Sequence, residues 1–300
     1  MPKIQQTNLP IYIGARCNYS CQHCASGSDL RKNLDPDPSL EEIISAIPIL
    51  AEKFEVNGSI SLLGGEPLLY WDEKIVPLTA KLREHFPNSR INIYTNGHLI
   101  GKNISRILDI MIKHNISLTI SRHLMGDITS VVGRQWQKSI DQLISHPSIV
   151  KIHNDHFHIK DNIRANVYFY TNKFWSSHYY TLPNGQIKPH ATNDPENSIL
   201  HGCIGSTCSY LYGTKLYKCG RLANLQYLLQ SVDQVGDLDW KKYLDYQPLD
   251  LLNLKQTDFD HFLSTYGKPI SECDMCQATP PDLLWKDRTW DLVFHQKHTP

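Results

Sequence analysis

Three cysteines lie within eight residues, Cys17, Cys21 and Cys24 of the run CNYSCQHC, and no further cysteine follows until Cys203. Iron–sulfur clusters are bound by cysteine thiolates, so three thiolates at C-x3-C-x2-C spacing can hold three corners of a 4Fe-4S cube. The fourth iron then has no protein ligand. An open coordination position is a place to bind substrate, as in a catalytic zinc that keeps one position free. A fully ligated cluster suits electron transfer; one that lacks a ligand suits chemistry.

Two plainer uses of the same cysteines are weaker. A structural zinc wants four tetrahedral ligands, and His23, between Cys21 and Cys24, cannot easily point at the same ion. A disulfide framework belongs to small secreted chains. This chain has 300 residues, and its first residues, Met-Pro-Lys-Ile-Gln-Gln-Thr, lack the apolar stretch of a secretory signal. Eight cysteines in such a chain point to reduced thiols serving metals in the cytoplasm. Thirty basic and thirty acidic residues balance, so no overall field recruits a polyanion. Neither nucleic acid nor an anionic membrane is implied as a partner, and no run of roughly eighteen apolar residues suggests a membrane span.

Two further motifs follow the triad. Gly64-Gly65-Glu66-Pro67 ends the apolar run Ile60–Leu63, and Tyr94-Thr-Asn-Gly97 ends Ile91–Ile93. With the cysteines, in this order, they resemble the radical S-adenosylmethionine (SAM) superfamily. The resemblance implies that the open iron is chelated by the amino and carboxylate groups of SAM's methionine. It implies a SAM-binding role for Gly64, Gly65 and Glu66, and for Asn96 after the third strand. Ser121, at the end of the fourth, stands where the family often has a hydroxyl near the ribose or carboxylate. His23 stands where an aromatic residue is common, and a planar imidazole can pack against the adenine there. Read without the family, Ser121 is also an ordinary turn residue and Glu66 a plain surface acid.

The elements that must position these groups alternate strand and helix, the pattern of βαβ units and a parallel sheet. Pro10–Gly14 reads as the first strand. Ser39-Leu-Glu-Glu42 forms a capping box, with Ile43, Ile47, Leu50 and Phe54 following at helical spacing and Pro48 expected to bend the helix. Strands at 60–63, 91–94 and 118–121 alternate with helices at 73–86, after Ile104, and around Trp136 and Ile140. Apolar runs near 149–152 or 157–159 and at 163–170 complete six repeats, the partial (β/α)6 TIM-like barrel that the resemblance implies. In such barrels catalytic groups sit at the carboxyl ends of the strands, where every motif above falls. His156 and His158 share one face of a strand by its period of two; with His153 they are either half-buried strand residues or substrate contacts at the barrel mouth.

Beyond residue 170 the alternation stops. Leu182-Pro-Asn-Gly185-Gln-Ile187 is a hairpin, His190–Ser198 reads as a loop, and a second hairpin turns at Gly213-Thr214. The five remaining cysteines are Cys203, Cys208, Cys219, Cys273 and Cys276. Cys203, Cys219, Cys273 and Cys276 resemble in order the twitch extension, a shortened relative of the SPASM domain, although Gly213 lies one residue further from Cys219 than usual. That resemblance implies an auxiliary 4Fe-4S cluster; the same four thiolates would also suit a structural zinc. Cys208 is left to substitute for Cys203, to be an inert buried thiol, or to act catalytically as a hydrogen-atom donor. The expected organisation is α/β: a core over 1–175, then a small α+β cysteine-rich extension over 176–300.

The implied activity is reductive cleavage of SAM to a 5′-deoxyadenosyl radical, with an electron from a flavodoxin- or ferredoxin-type donor, and hydrogen abstraction from an unactivated C–H. An auxiliary cluster that accepts an electron makes the outcome a two-electron oxidation or a cross-link. A hydrogen returned by Cys208 makes it an epimerisation. A glycyl-radical-enzyme activase would carry its extra cysteines soon after the first cluster, and a non-catalytic metal-binding scaffold would not need the intact glycine turn. The barrel begins within a dozen residues of Met1, with no leader-recognition domain before it, which favours a small metabolite somewhat. The aromatics between Tyr168 and Tyr180, Phe174, Trp175 and Tyr179 among them, could stack on sugars or serve as core. Peptide and carbohydrate substrates remain close to even.

Overall fold

The computed structural model describes residues 3–21, 24, 26–27, 37–122, 130–170, 178–203 and 209–278. Four strands, each followed by a helix, come first: β1 (Ile4–Tyr12), α1 (Leu40–Lys53), β2 (Phe54–Leu63), α2 (Val76–His85), β3 (Arg90–Thr95), α3 (Ile100–His114), β4 (Ile116–Ser121) and α4 (Val131–Ile144). Between β2 and α2 a 3-10 turn (Pro67–Tyr70) runs into a π turn (Trp71–Ile75). The capping box at the start of α1 is present, with Ser39 and Glu42 bonding each other's backbone N–H. Ile43, Ile47 and Leu50 are buried on one face of α1, and the helix runs on through Pro48.

The strand–helix alternation gives four repeats rather than six. After α4 come β5 (Ile149–His153), β6 (His156–Ile159) and β7 (Asn162–Tyr170), paired as an antiparallel meander. The reason is connection length. Two residues separate each of these strands from the next, whereas a parallel pair needs a crossover of a dozen or more. β7 then pairs parallel with β4.

The rest of the described chain holds the small hairpin β8 (Tyr179–Thr181) and β9 (Ile187–Pro189), α5 (Pro195–Gly202), β10 (Tyr210–Tyr212), β11 (Lys215–Tyr217), α6 (Gly220–Ser231), α7 (Leu238–Leu244), β12 (Leu249–Asp250) and α8 (Gln256–Thr265), then a 3-10 turn over Ser271–Met275. Both predicted hairpins form. The stretch expected as a loop instead opens α5 at Pro195: Asp194 caps it by accepting from Asn197 N, and proline suits a first helical position, where no N–H is needed.

Among the described residues one sheet of ten strands runs β12-β11-β10-β1-β2-β3-β4-β7-β6-β5, with β8 and β9 apart from it. The fold is mixed α/β on a large sheet whose centre, from β10 to β7, is parallel. Parallel register sets the carboxyl ends level, Tyr12 beside Leu63 and Thr95 beside Ile120. The loops that follow β1 to β4 therefore leave from one edge. The core beneath that edge, from Leu9 and Ile11 through Leu62 and Ile93 to Leu118, also takes in Leu211, Leu216 and Phe259 from the C-terminal region.

Candidate active site

The cysteine loop is fastened along its backbone before Cys17 is reached. Gly65 N donates to Gly14 O and Glu66 N to Arg16 O, both at 2.8 Å. The two glycines allow this approach. A Cβ at Gly64 would stand 2.3 Å from Gly14 O, and one at Gly65 2.3 Å from Arg16 O, closer than any side chain tolerates. From the other side, Ala15 N donates to Asp37 Oδ1 at 2.8 Å and Arg16 N to Tyr70 Oη at 2.7 Å. The ammonium of Lys74, on the π turn, is buried and donates to Ile13 O at 2.9 Å and Pro38 O at 2.8 Å. Tyr70, Lys74 and Asp37 are the site residues that sequence reasoning missed. Lys74 sits in Trp-Asp-Glu-Lys-Ile, which reads as an ordinary helix surface, and no pattern distinguishes it.

Glu66 is fully buried, which rules out a surface acid. One carboxylate oxygen accepts from Thr95 Oγ1 at 2.7 Å and Leu68 N at 3.0 Å; the other accepts from Asn96 N at 2.7 Å. Burial pushes its carboxyl up to about 7, against the pull of those three donors. Asn96 continues the chain of contacts, donating through Nδ2 to Asn18 Oδ1 at 2.7 Å and accepting at its carbonyl from Trp136 Nε1. Asn18 follows Cys17 directly, so Glu66 and Asn96 reach the cysteine loop through side chains as the glycines do through backbone. Tyr19 Oη and His98 Nδ1, 3.0 Å apart, add a further link.

Cys17 is partly buried, and its thiol is pushed well above the ordinary range by burial, then by the nearby Glu66, Cys24 and Cys21. The three cysteines thus share one electrostatic neighbourhood. Ser121 leaves from the same edge, two strands from β2. Beside it stands the tip of the β5–β6 hairpin, where Arg122 Nη2 donates to Asp155 Oδ1 at 2.5 Å. His156 there accepts or donates at Asn166 Oδ1 and stacks on Tyr168 with centroids 4.6 Å apart; His153 is 6.3 Å from it, ring to ring. The predicted positions His23, Cys208, Phe174 and Trp175 lie outside the described residues.

The C-terminal cysteines form a second neighbourhood, away from the first. Cys219 caps the start of α6, and its thiol is pushed up to about 12 by burial and by Cys276, with Cys203 adding less. Cys273, raised by burial, also feels Cys203 and Cys276. Arg221 Nη1 donates to Cys276 Sγ at 3.0 Å. The turn that carries Cys273 and Cys276 is held against the β9–α5 segment, His190 N donating to Met275 O and Ser198 Oγ to Cys276 O. Among the described residues no three His, Cys, Asp or Glu side chains stand together as ligands for a single metal ion. No described helix is long and apolar enough to cross a membrane.

No curated protein matches the chain. Solved structures resemble it loosely. BtrN in complex with AdoMet and 2-DOIA aligns over 92% of this chain and 94% of its own, with a TM-score of 0.47 and 13% identity. SuiB of Streptococcus suis bound to the precursor peptide SuiA is 25% identical over 39% of this chain and 24% of its own, with a TM-score of 0.31. The enzyme anSMEcpe with bound AdoMet is 18% identical over 47% of this chain and 39% of its own, with a TM-score of 0.35. These likenesses are too loose to say what this chain acts on. The family comparison is more direct: residues 11–130, which hold the cysteine triad, the glycine turn, Asn96 and Ser121, match the Radical SAM superfamily, and this stretch is a radical SAM domain.

Proposed function

We propose that the chain is a cytoplasmic radical SAM enzyme in which Cys17, Cys21 and Cys24 hold a 4Fe-4S cluster with one iron open to SAM. In this reading Gly64, Gly65, Glu66, Asn96 and Ser121 form the SAM-binding edge. Cys203, Cys219, Cys273 and Cys276 hold a second 4Fe-4S cluster in a twitch- or SPASM-like extension. Residues 1–175 are the catalytic region and 176–300 the auxiliary one, a division of labour across a shared sheet.

The donor chemistry fits both groups. A cube of iron and sulfide spaces its thiolates by its own width, wider than a single ion does, and each neighbourhood is a loose set of free thiols. Neutral thiols leave the Arg221 cation without compensation, whereas thiolates on a metal centre meet it. When bound, the clusters supply one electron to split SAM into methionine and a 5′-deoxyadenosyl radical, and a site to receive one electron from the oxidised substrate.

The chain's own residues orient and enclose. The bonds from Gly65 and Glu66 to Gly14 and Arg16 fix where the cysteine loop faces the strand ends, and Glu66 with Asn96 fixes Asn18 beside it. A primary carbon radical takes whatever hydrogen lies within reach, so this fixing sets selectivity. His153 and His156, at the same edge, are placed to contact the substrate, a peptide or a carbohydrate-like metabolite. A flavodoxin- or ferredoxin-type protein is the electron donor.

The observation that carries this reading is the backbone clamp between the cysteine loop and the glycine turn, inside the segment that matches the family. Anaerobic reconstitution with iron and sulfide, followed by SAM and dithionite, is expected to yield 5′-deoxyadenosine, and Cys21→Ala is expected to abolish it. A reduced cluster in the intact chain that leaves SAM whole removes the proposed activity.

A further inference from the structure

Arg221 belongs to no part of the function proposed so far, yet it stands in the middle of the C-terminal cysteines. It lies two residues beyond Cys219 in α6, is partly buried, and donates to Cys276 Sγ at 3.0 Å. Burial works against its charge, but Cys276, Cys219 and Cys203 together raise its pKa. The groups around it do not cancel that charge. His178 is buried and held well below the usual histidine range by burial and by Arg221, so it is neutral, and His190 is lowered likewise. Asp274, the buried acid on the cysteine turn, is already met by Lys242 Nζ at 2.8 Å and Tyr243 Oη at 2.9 Å. Lys218, next to Cys219, adds a second cation that Cys273 feels. The amino end of α6, capped by Cys219, contributes partial positive charge of its own.

This is a cationic setting for a group whose charge changes by one unit when it is reduced. We infer that Arg221 is a potential-tuning residue: its guanidinium, bonded to Cys276, stabilises the one-electron-reduced state of the centre held by Cys203, Cys219, Cys273 and Cys276, and so makes that centre an electron acceptor. The inference rests on the proposed second cluster. Hydrogen bonds to ligand sulfurs and local charge are among the factors that set iron–sulfur potentials. Reduction brings one electron to the centre from dithionite. No bond to Arg221 forms or breaks, and no proton follows, because guanidinium is charged throughout. A centre with raised potential takes an electron from a substrate radical readily and returns it to a donor less so, which favours oxidation of the substrate over return of a hydrogen atom.

The test uses the full chain with Cys17, Cys21 and Cys24 replaced by alanine, so that only the C-terminal centre can assemble, and follows its EPR signal through an anaerobic dithionite titration. Arg221→Gln is expected to shift the reduction equilibrium at least tenfold towards the oxidised form, a fall of about 59 mV for a one-electron couple. Arg221→Lys, which keeps the charge, is expected to stay within roughly threefold of the parent. An unchanged potential in Arg221→Gln, or an equal shift in both variants, overturns the role of the charge and leaves the second cluster standing. Should Arg221→Gln lose its iron, the parent chain grown with arginine labelled in heavy nitrogen decides the matter. The reduced centre is expected to show hyperfine coupling to that nitrogen, and its absence overturns the inference. A parent protein that holds zinc there, with no reducible signal, overturns the second cluster and this inference together.

Discussion

Glu66 accepts from the end of β3 twice and from the 3-10 turn once, so one side chain ties together the two loops that flank the cysteine triad. All three partners are donors, and each matches a carboxylate lone pair. Replacing Glu66 by glutamine keeps the shape but turns one oxygen into an N–H₂, which must then face a donor. A buried donor left without an acceptor costs about 1–3 kcal/mol, whereas a surface change away from special features stays within about 0.5 kcal/mol. Glu66→Gln is therefore expected to lower stability by about 1–3 kcal/mol in anaerobic urea unfolding of the reconstituted chain. An unchanged midpoint would mean that the carboxylate does not hold these loops. The sequence places this residue at the site through the motif Gly-Gly-Glu-Pro; it does not tell that the acid faces inward, because nothing in a four-residue turn encodes which way its third side chain points.

At the scale of elements, what the sequence announces is whatever has a local cause. The capping box at Ser39, the spacing of Ile43, Ile47 and Leu50, and the Asn-Gly and Gly-Thr turns are all written in neighbouring residues, and all form. What escapes is pairing between distant strands and irregular turns. The run at 149–170 shows β propensity but not partner direction, so its strands read equally as two more βα repeats. The π turn that carries Lys74 has no periodic signature, yet it decides where β1 hands over to the cysteine loop. Lys74→Met keeps the bulk of the stem and removes both bonds to Ile13 O and Pro38 O. Two buried carbonyls then lose a charged donor, a loss of about 2–4 kcal/mol, at the point where the loop leaves the strand. The expected result is lower stability together with reduced iron retention at the N-terminal triad, read as iron per chain in a variant whose C-terminal cysteines are replaced. Iron retained at the parent level would show that Lys74 serves the fold alone.

For the whole molecule the question is whether the two cysteine regions are also two folding units. Composition and motif order suggest a boundary near residue 175, because the strand–helix alternation ends there. The sheet crosses that boundary. β1, the strand that delivers Cys17, has β2 on one side and β10 on the other, with Ile11 beside Leu211. Leu211, Leu216, Leu249, Leu251, Phe259 and Phe262 lie in the same core as Leu9, Ile60 and Val167. A chain cut after residue 175 loses all six and leaves one edge of β1 unpaired, an open template for association. At roughly 1.5–3 kcal/mol for each buried apolar side chain, the loss approaches the whole stability of an ordinary domain, about 5–15 kcal/mol. The fragment 1–175, prepared anaerobically with its triad reconstituted, is accordingly expected to unfold without a cooperative transition or to associate, while the full chain unfolds as one unit even when its C-terminal cysteines are replaced. A fragment that melts cooperatively within a few degrees of the full chain would instead make the boundary at 175 a true division of the fold, and would free the auxiliary region to move relative to the site it serves.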